Sequence, residues 1–204
     1  PTPLGIPFSY FPLEKEESVS GFILPSPGES NERGYFLQNG GYYFALSPFF
    51  DLTMQGDYYT NGSYGIRATT NYKKRYKFSG NLRLTFDRVV SSELGLPDYS
   101  ETTRYNIAWS HSQDSKASPN SRFSASVNLG SSDFYTQSIN NNNIGNRLQN
   151  TLTSSVSYSK TFQTVPQVSL SLTANHSQNS QTQVINMTLP TAVLNVDRVF
   201  PFAP

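Results

Sequence analysis

The chain has 204 residues, of which 36% are hydrophobic and 14% aromatic, while only 14% are charged, below the roughly 25% of ordinary soluble domains. A net charge of +1 argues against nucleic acid as a partner, and the absence of cysteine excludes disulfides and cysteine-based metal sites. Few charges, many Tyr and Phe and an excess of neutral polar residues are typical of an outer-membrane β-barrel, and no apolar stretch approaches the roughly 18 to 20 residues of a membrane helix.

Prolines divide residues 1–33 into short extended pieces. Val19 to Leu24 have the pattern of one more short strand. We interpret residues 1–33 as the end of a neighbouring β domain plus a connector. The chain begins at Pro1 without a Met or a signal peptide, so we expect it to be a segment of a longer exported protein.

Large apolar side chains fall on even numbers from Phe50 to Phe86, and the odd positions between them are polar or charged. Successive side chains of a strand point to opposite faces, so this pattern predicts one sheet with an apolar and a polar face. Charges opposite aromatic residues favour a sheet that stands between lipid and water. The apolar set comprises Phe50, Leu52, Met54, Tyr58, Tyr64, Ile66, Tyr72, Tyr76, Phe78, Leu82, Leu84 and Phe86.

Turn lengths connect these strands into a meander. The apolar sets of two antiparallel strands share a face here only if the numbers of paired residues add to an even value. Three-residue loops at residues 47–49, 60–62 and 73–75 satisfy that condition, with Gly62 in the left-handed conformation of a bulged hairpin.

Alternating patterns continue to the end of the chain, near residues 104–111, 122–129, 152–162, 168–174, 185–189 and 194–200. They predict about nine or ten strands of roughly 9 to 13 residues, the length that a tilted membrane strand requires. The fold class is therefore all-β, an antiparallel meander that forms part of a transmembrane β-barrel. The long connections, at residues 89–102 and 131–147, are separated by two strands and emerge on the same side.

No catalytic constellation is evident, because His111 and His176 are the only histidines and lie far apart in the sequence. We expect no enzymatic chemistry, no cofactor and no metal. The charges on the polar face allow two interpretations. They line a water-filled lumen, or they face water without a specific role. This set is Asp51, Asp57, Arg67, Lys77, Arg83 and Asp87.

The turn Lys73-Lys74-Arg75 also has two readings. It touches anionic lipid headgroups or lipopolysaccharide phosphates, or it is a plain solvated turn.

Four motifs stand out in the first part of the chain, at residues 7–13 (PFSYFPL), 20–25 (SGFILP), 33–36 (RGYF) and 42–53 (YYFALSPFFDLT). Together they resemble the LptD (also called OstA) family of outer-membrane lipopolysaccharide-assembly proteins. The resemblance is specific over residues 5–59 and extends to the strand that ends near residue 112. Beyond about residue 115 only the pattern of strands is shared.

This resemblance implies a very large barrel in the outer membrane of a Gram-negative bacterium, plugged by an LptE-type lipoprotein. A periplasmic jellyroll receives lipopolysaccharide from an LptA-type bridge, the lipid tails leave through a lateral opening between the first and last strands, and the sugars pass through the lumen. Residues 1–33 would be the periplasmic jellyroll end and connector, and residues 34–204 the amino-terminal barrel strands, in contact with outer-membrane lipid.

The resemblance also implies a lateral gate. Members of the family carry a proline in each of the first two strands, which removes ladder hydrogen bonds. The aligned positions here are Gly41 and Gly56, while Pro48 matches the proline of the intervening turn. Glycine weakens a strand but keeps its N–H, so the gate hypothesis holds only in a weaker form. The alternative is that these glycines only accommodate the curvature of the barrel.

The sidedness of the long loops stays open at this point. If residue 34 starts at the periplasmic face, strict alternation places both long loops in the periplasm, unless one strand is missing from the count near residues 34–50.

Two rival functions remain. The first is another outer-membrane barrel, such as a porin or receptor, against which the motifs of residues 5–59 argue. The second is a soluble β-sandwich with an adhesive or binding role, which solubility without detergent would support.

Overall fold

The computed structural model describes residues 5–6, 9–10, 19–92, 95–134 and 151–198. Their thirteen strands are β1 (Gly5–Ile6), β2 (Ser9–Tyr10), β3 (Gly21–Ile23), β4 (Ser26–Ser30), β5 (Gly34–Ser47), β6 (Phe50–Tyr59), β7 (Tyr64–Lys74), β8 (Phe78–Ser91), β9 (Ser100–Gln113), β10 (Ser121–Gly130), β11 (Thr151–Phe162), β12 (Val168–Asn179) and β13 (Ile185–Val196). None of these described residues belong to a helix long and apolar enough to cross a membrane.

Eleven strands form one antiparallel sheet in which neighbours in space are neighbours in sequence. The order runs from β13 back to β5, and β3 and β4 both pair with β5. The predicted all-β antiparallel meander is confirmed. Within the described residues the sheet is open, with β13 at one edge and β3 and β4 at the other.

The strands β3 and β4 behave as one interrupted strand. Ile23 pairs with Gly41 and Ser26 pairs with Gln38, so both pieces keep the same register against β5. Leu24 and Pro25 lie between them and outside the strand assignment. Proline has no N–H to donate, which explains a break at this point.

This interrupted strand fixes the direction of all the others. The chain joins the sheet at Gly21, beside the last residues of β5, and the Ala45 N–H donates to Ser20 Oγ at 2.8 Å. We call this the near end, and it also holds the turns at residues 48–49, 75–77, 114–120 and 163–167. The opposite far end holds the connections at residues 31–33, 60–62 and 180–184, together with the strand ends Ser91, Ser100, Gly130 and Thr151.

One of the three predicted turns is confirmed. The Tyr59 N–H donates to the Ser63 carbonyl at 3.0 Å, which closes a three-residue loop at residues 60–62. Gly62 has a φ of 88°, the left-handed conformation that the sequence predicts.

The other two predicted turns are wrong in detail. The loop predicted at residues 73–75 lies at residues 75–77, because Lys74 pairs with Phe78. The loop predicted at residues 47–49 is a two-residue turn, because Ser47 pairs with Phe50, and a register shift between Phe44 and Ser47 restores the even sum. Both errors leave the apolar face intact. A displacement by two residues does not exchange the faces, and the register shift in β5 corrects the parity of the two-residue turn.

The long strands match the predicted number and length. Nine strands, β5 to β13, have 10 to 14 residues each. The two apolar stretches predicted near residues 185–189 and 194–200 belong to a single strand, β13, up to Val196. A register shift between Thr173 and Asn175 changes which residues of β13 share the apolar face. Residues 199–200 lie outside the described part of the chain.

Candidate functional site

The apolar face of the sheet is exposed along its whole middle. Met54 on β6 is 44% exposed, Ile66 on β7 49% and Leu84 on β8 42%. The small buried core of Tyr59 and Val89, with Phe36 packed against them, lies on the polar side. On the apolar face Ala125 of β10 and Leu152 of β11 are buried, so the exposed apolar surface is centred on β6, β7 and β8. A contiguous apolar surface of this kind marks a contact with a partner or with lipid.

Two aromatic belts border the aliphatic middle of this face. The near-end belt consists of Tyr72, Phe78, Trp109, His111 and Phe123, and the far-end belt of Tyr58, Tyr64, Phe86 and Tyr105. Tyr64 and Tyr72 stand eight residues apart on β7, about 26 Å along a strand that rises ~3.3 Å per residue. At a tilt of ~40° this gives ~20 Å along the membrane normal, comparable with the ~25 Å apolar band of outer-membrane barrels.

Hydrogen bonds connect the polar atoms of the near-end belt. The Trp109 Nε1–H donates to the Tyr72 hydroxyl at 2.8 Å, and that hydroxyl lies 2.9 Å from His111 Nδ1. The His111 ring lies 5.2 Å from that of Phe123. Gly80 leaves the space that the Tyr72 side chain crosses. Amphipathic rings with their polar atoms satisfied suit the boundary between lipid and water.

The polar face carries a buried ion pair near the far end. Arg67 Nη2 lies 3.1 Å from Asp57 Oδ2 and donates to Asn39 Oδ1 at 2.7 Å. The Asn39 backbone N–H also donates to Asp57 Oδ1 at 2.7 Å. Asn39 adopts a φ of 59° beside the register shift between Leu37 and Gly40, so the bulge itself presents this N–H to the carboxylate.

A row of charged residues continues from this pair across the sheet. Asp57 pairs in register with Gly65, Gly65 with Asp87, and Asp87 with Arg104. Asp57, Asp87 and Arg104 are each at most 4% exposed. A Cβ at Gly65 would lie 2.8 Å from Asp87 Oδ1 and 3.3 Å from Asp57 Oδ2, so the glycine lets two carboxylates approach from both sides.

The remaining predicted polar residues lie apart from this row. Asp51, near the turn at residues 48–49, accepts the Asn71 N–H at 3.0 Å. Lys77 lies in the turn at residues 75–77, where its carbonyl accepts the Asp114 N–H at 2.9 Å. Arg83 is exposed in the middle of β8. The structure therefore brings Asp57, Arg67 and Asp87 together and leaves the other three separate.

The three predicted gate residues lie on the first strands of the sheet. Gly41 is packed so closely that a Cβ would overlap the Met54 carbonyl oxygen, while a Cβ at Gly56 would meet only the Gly65 carbonyl at 3.7 Å. Gly40, rather than Gly41, pairs with Gly56. Pro48 lies in the turn between β5 and β6.

A glycine notch opens on the apolar face at this point. It has a volume of about 330 Å³, and its lining includes Pro25, Leu37, Gly40, Gly56, Tyr58 and Ile66. A Cβ at Gly40 would lie 2.9 Å from Pro25 Cβ, so this glycine makes room for the proline that interrupts the strand formed by β3 and β4. Pro25 thus borders the predicted gate, but it lies in the interrupted strand formed by β3 and β4 and not in β5 or β6.

Sequence reasoning missed Asn39, Gly65 and Arg104. The alternation of β9 puts Arg104 on the polar face, but its position opposite Asp87 depends on the register between β8 and β9. No sequence signal identifies the bulge at Asn39. Among the described residues, no group of three His, Asp or Glu side chains is placed to hold a metal ion.

Comparison with known proteins adds two findings. A family model described as LptD protein matches residues 1–204. The LPS-assembly protein LptD of Ectopseudomonas mendocina (strain ymp) is 29% identical over 107 residues. That alignment covers 52% of this chain but only 11% of the relative, so the chain spans a small part of the protein that it matches.

Proposed function

The chain belongs to the LptD protein family, and we propose that it supplies the first strands of an outer-membrane barrel that delivers lipopolysaccharide to the outer leaflet. One observation carries this proposal. The large apolar side chains of the sheet are exposed between two aromatic belts, while the charged row of the opposite face is buried. A soluble sandwich would reverse this arrangement. The role is transport, without enzymatic chemistry.

We place the start of the barrel at Gly21 instead of residue 34, because β3 and β4 are hydrogen-bonded to β5. The preceding residues then belong to the periplasmic jellyroll end and meet the sheet at its near end. With this added strand, the strand ends on either side of the two long connections, Ser91 with Ser100 and Gly130 with Thr151, lie at the far end, which we place outside the cell. This arrangement supports a strand missing from the count, although the added strand, formed by β3 and β4, precedes residues 34–50.

The polar face is the lumen in this proposal. Its buried row, with Asp57, Asp87 and Arg104, borders the path of the sugar chains and the surface that an LptE-type lipoprotein plug contacts. An LptA-type bridge delivers lipopolysaccharide on the periplasmic side, to the domain that precedes Gly21. The apolar face contacts outer-membrane lipid.

The lateral gate is placed at the glycine notch. Pro25, Gly40 and Gly56 meet where the ladder between the first strands is interrupted, and the notch opens to the lipid side. Missing ladder hydrogen bonds lower the free energy needed to separate strands. Gly41 contributes close backbone packing, and Pro48 shortens the adjoining turn.

Site-specific photo-crosslinking in living cells tests this proposal. The crosslinking residue belongs at Gly56 and Leu37, since a side chain is tolerated at Gly56 and excluded at Gly41. Leu84, similarly exposed on the apolar face but two strands away from Gly56, is the matched control. We expect lipopolysaccharide adducts at Gly56 and Leu37 and few at Leu84. Equal adducts at all three positions would disprove a gate at the notch.

A further inference from the structure

The two ends of the sheet carry opposite charge. All five lysines of the described residues lie at the near end. The near-end cations are Lys73, Lys74, Arg75, Lys77, Lys116, Arg122, Lys160 and Arg198, against Asp51, Asp114 and Asp197. The described far-end residues include the acidic set Glu29, Glu32, Asp57, Asp87, Asp98, Glu101 and Asp133, against Arg33, Arg67, Arg88 and Arg104.

Four near-end cations lie over aromatic rings. Lys74 Nζ is 5.3 Å from the centre of the Phe49 ring, and Lys160 Nζ is 4.9 Å from that of Phe162. Lys116 Nζ and Arg75 Cζ lie 5.0 Å and 5.6 Å from the Tyr76 ring. We call Lys74, Arg75, Lys116 and Lys160 the basic rim.

Two members of the basic rim stand on the apolar face itself. Lys74 pairs with Phe78 of the near-end belt, and Lys160 shares its face with Tyr158 and Phe162. A lysine at the edge of an apolar surface lays its methylene groups along that surface and extends its ammonium group to the polar boundary. The Phe49 and Phe162 rings hold the Lys74 and Lys160 ammonium groups at this boundary.

The charge of the basic rim is not used within the sheet. The ion pairs of the described residues include Arg67–Asp57 on the polar face and Arg88–Glu101 toward the far end. Neither includes a member of the rim. The rim therefore presents cations beside the near-end belt, at the height where lipid phosphates meet the ends of a barrel.

We propose that the basic rim binds the phosphate groups of anionic phospholipids in the leaflet that surrounds the near end. This inference rests on the proposed membrane placement, and it adds a lipid site that is separate from the glycine notch. Each cation gains free energy from an anionic membrane surface, and together the cations hold the first strands at a fixed depth. The acidic far end favours the same orientation.

A matched pair of variants tests the rim in the full-length protein. The variant K74Q/K160Q, which we call the outer variant because both lysines lie on the lipid-facing side of the sheet, is compared with the control K73Q/R122Q. The control removes two charges at the same end from the polar face, where Lys73 and Arg122 are exposed. Each protein is reconstituted in nanodiscs of phosphatidylcholine with phosphatidylglycerol, extracted with detergent, and assayed for retained lipid by mass spectrometry.

We expect the wild type and the control to retain phosphatidylglycerol in excess of its share of the bilayer. In the outer variant the phosphatidylglycerol enrichment should fall about fivefold for each cation removed, since a cation near an anionic surface contributes on the order of 1 kcal/mol of binding free energy. Equal enrichment in the outer variant, or an equal loss in the control, would overturn the proposal.

A second arm separates the lipid source. Nanodiscs that also contain lipopolysaccharide show whether the outer variant loses that lipid instead, and this result would overturn the assignment to phospholipid. A protein that stays soluble without detergent and does not enter nanodiscs would contradict the membrane placement as well. Normal insertion without phosphatidylglycerol enrichment would contradict only the basic rim.

Discussion

Two pairs of neighbouring strands in the same sheet differ sharply in regularity. The strands β8 and β9 pair over fourteen consecutive residues, from Phe78 with Gln113 to Ser91 with Ser100, without a register shift. The pair of β5 and β6 has a register shift after Leu37 and another after Phe44. Both pairs follow the same alternation of apolar and polar residues, so alternation alone does not decide regularity.

Small and conformationally permissive residues account for the first of these two shifts. β5 contains Gly40 and Gly41, together with Asn39 in the left-handed region, where asparagine is tolerated better than most residues. The bulge they form places the Asn39 N–H on Asp57. The bulge between β5 and β6 is thus held by a specific polar contact, while β8 and β9 are held by an uninterrupted ladder of backbone hydrogen bonds.

The largest expected effect is at Gly41. In the variant G41V the new side chain overlaps the Met54 carbonyl, so β5 and β6 must separate, and we expect a loss of about 3 kcal/mol or more. Heat-modifiable gel mobility and urea unfolding of the full-length protein in detergent measure this loss. The control G56A meets only a carbonyl at 3.7 Å and should change stability by no more than about 1 kcal/mol. Equal stability of G41V and G56A would show that the close packing at Gly41 is not required.

A smaller effect is expected where the bulge contacts the ion pair. D57N leaves the Arg67 guanidinium without its carboxylate, and we expect a cost of about 2 kcal/mol, below the roughly 3–5 kcal/mol of a fully buried pair. The Arg67 side chain is 23% exposed, which accounts for the reduction. The urea midpoint of the full-length protein reports the change.

The ion pair between Arg88 and Glu101 is the control for this prediction. Its atoms approach to 2.7 Å, but the two side chains are 38% and 39% exposed. Water and salt screen such a pair, so E101Q should leave the urea midpoint unchanged. If E101Q destabilised the protein as much as D57N, burial of Asp57 would not be the cause.

The smallest effect is expected in the regular region. Y72F removes the hydroxyl that accepts the Trp109 Nε1–H, and we expect a loss of about 1 kcal/mol in detergent micelles. Y64F is the matched variant in the far-end belt, where the Tyr64 ring lies 6.2 Å from that of Phe86. We expect no change for Y64F. A loss of similar size in both variants would point to general packing instead of the hydrogen bond.

Much of the fold could be predicted from residue patterns. The even-numbered stripe from Phe50 to Phe86 and the loop at residues 60–62 are local, because alternation and one glycine define them. The turn at residues 75–77 could not be placed, since three-residue loops at 73–75 and 75–77 give the same apolar face. Only the ladder between β7 and β8 distinguishes them, through pairs such as Lys74 with Phe78.

The candidate site was predicted in part. Asp57, Arg67 and Asp87 were recognisable as charges on one face, and they do come together near the far end. Asn39 and Arg104 were not, because their contribution depends on a bulge and on the register between strands. The lateral gate was predicted at Gly41, Pro48 and Gly56, whereas the glycine notch is lined by Gly40 and Gly56, with Pro25 on the adjacent strand.

The sequence by itself determined the fold class, the two faces of the sheet and the family resemblance, because all three depend on the order and spacing of residues along the chain. Only the tertiary structure decided the extra strand formed by β3 and β4, the buried charged row and the opposite charge of the two ends. These features arise from register, which pairs residues distant in sequence through backbone hydrogen bonds that no local pattern specifies.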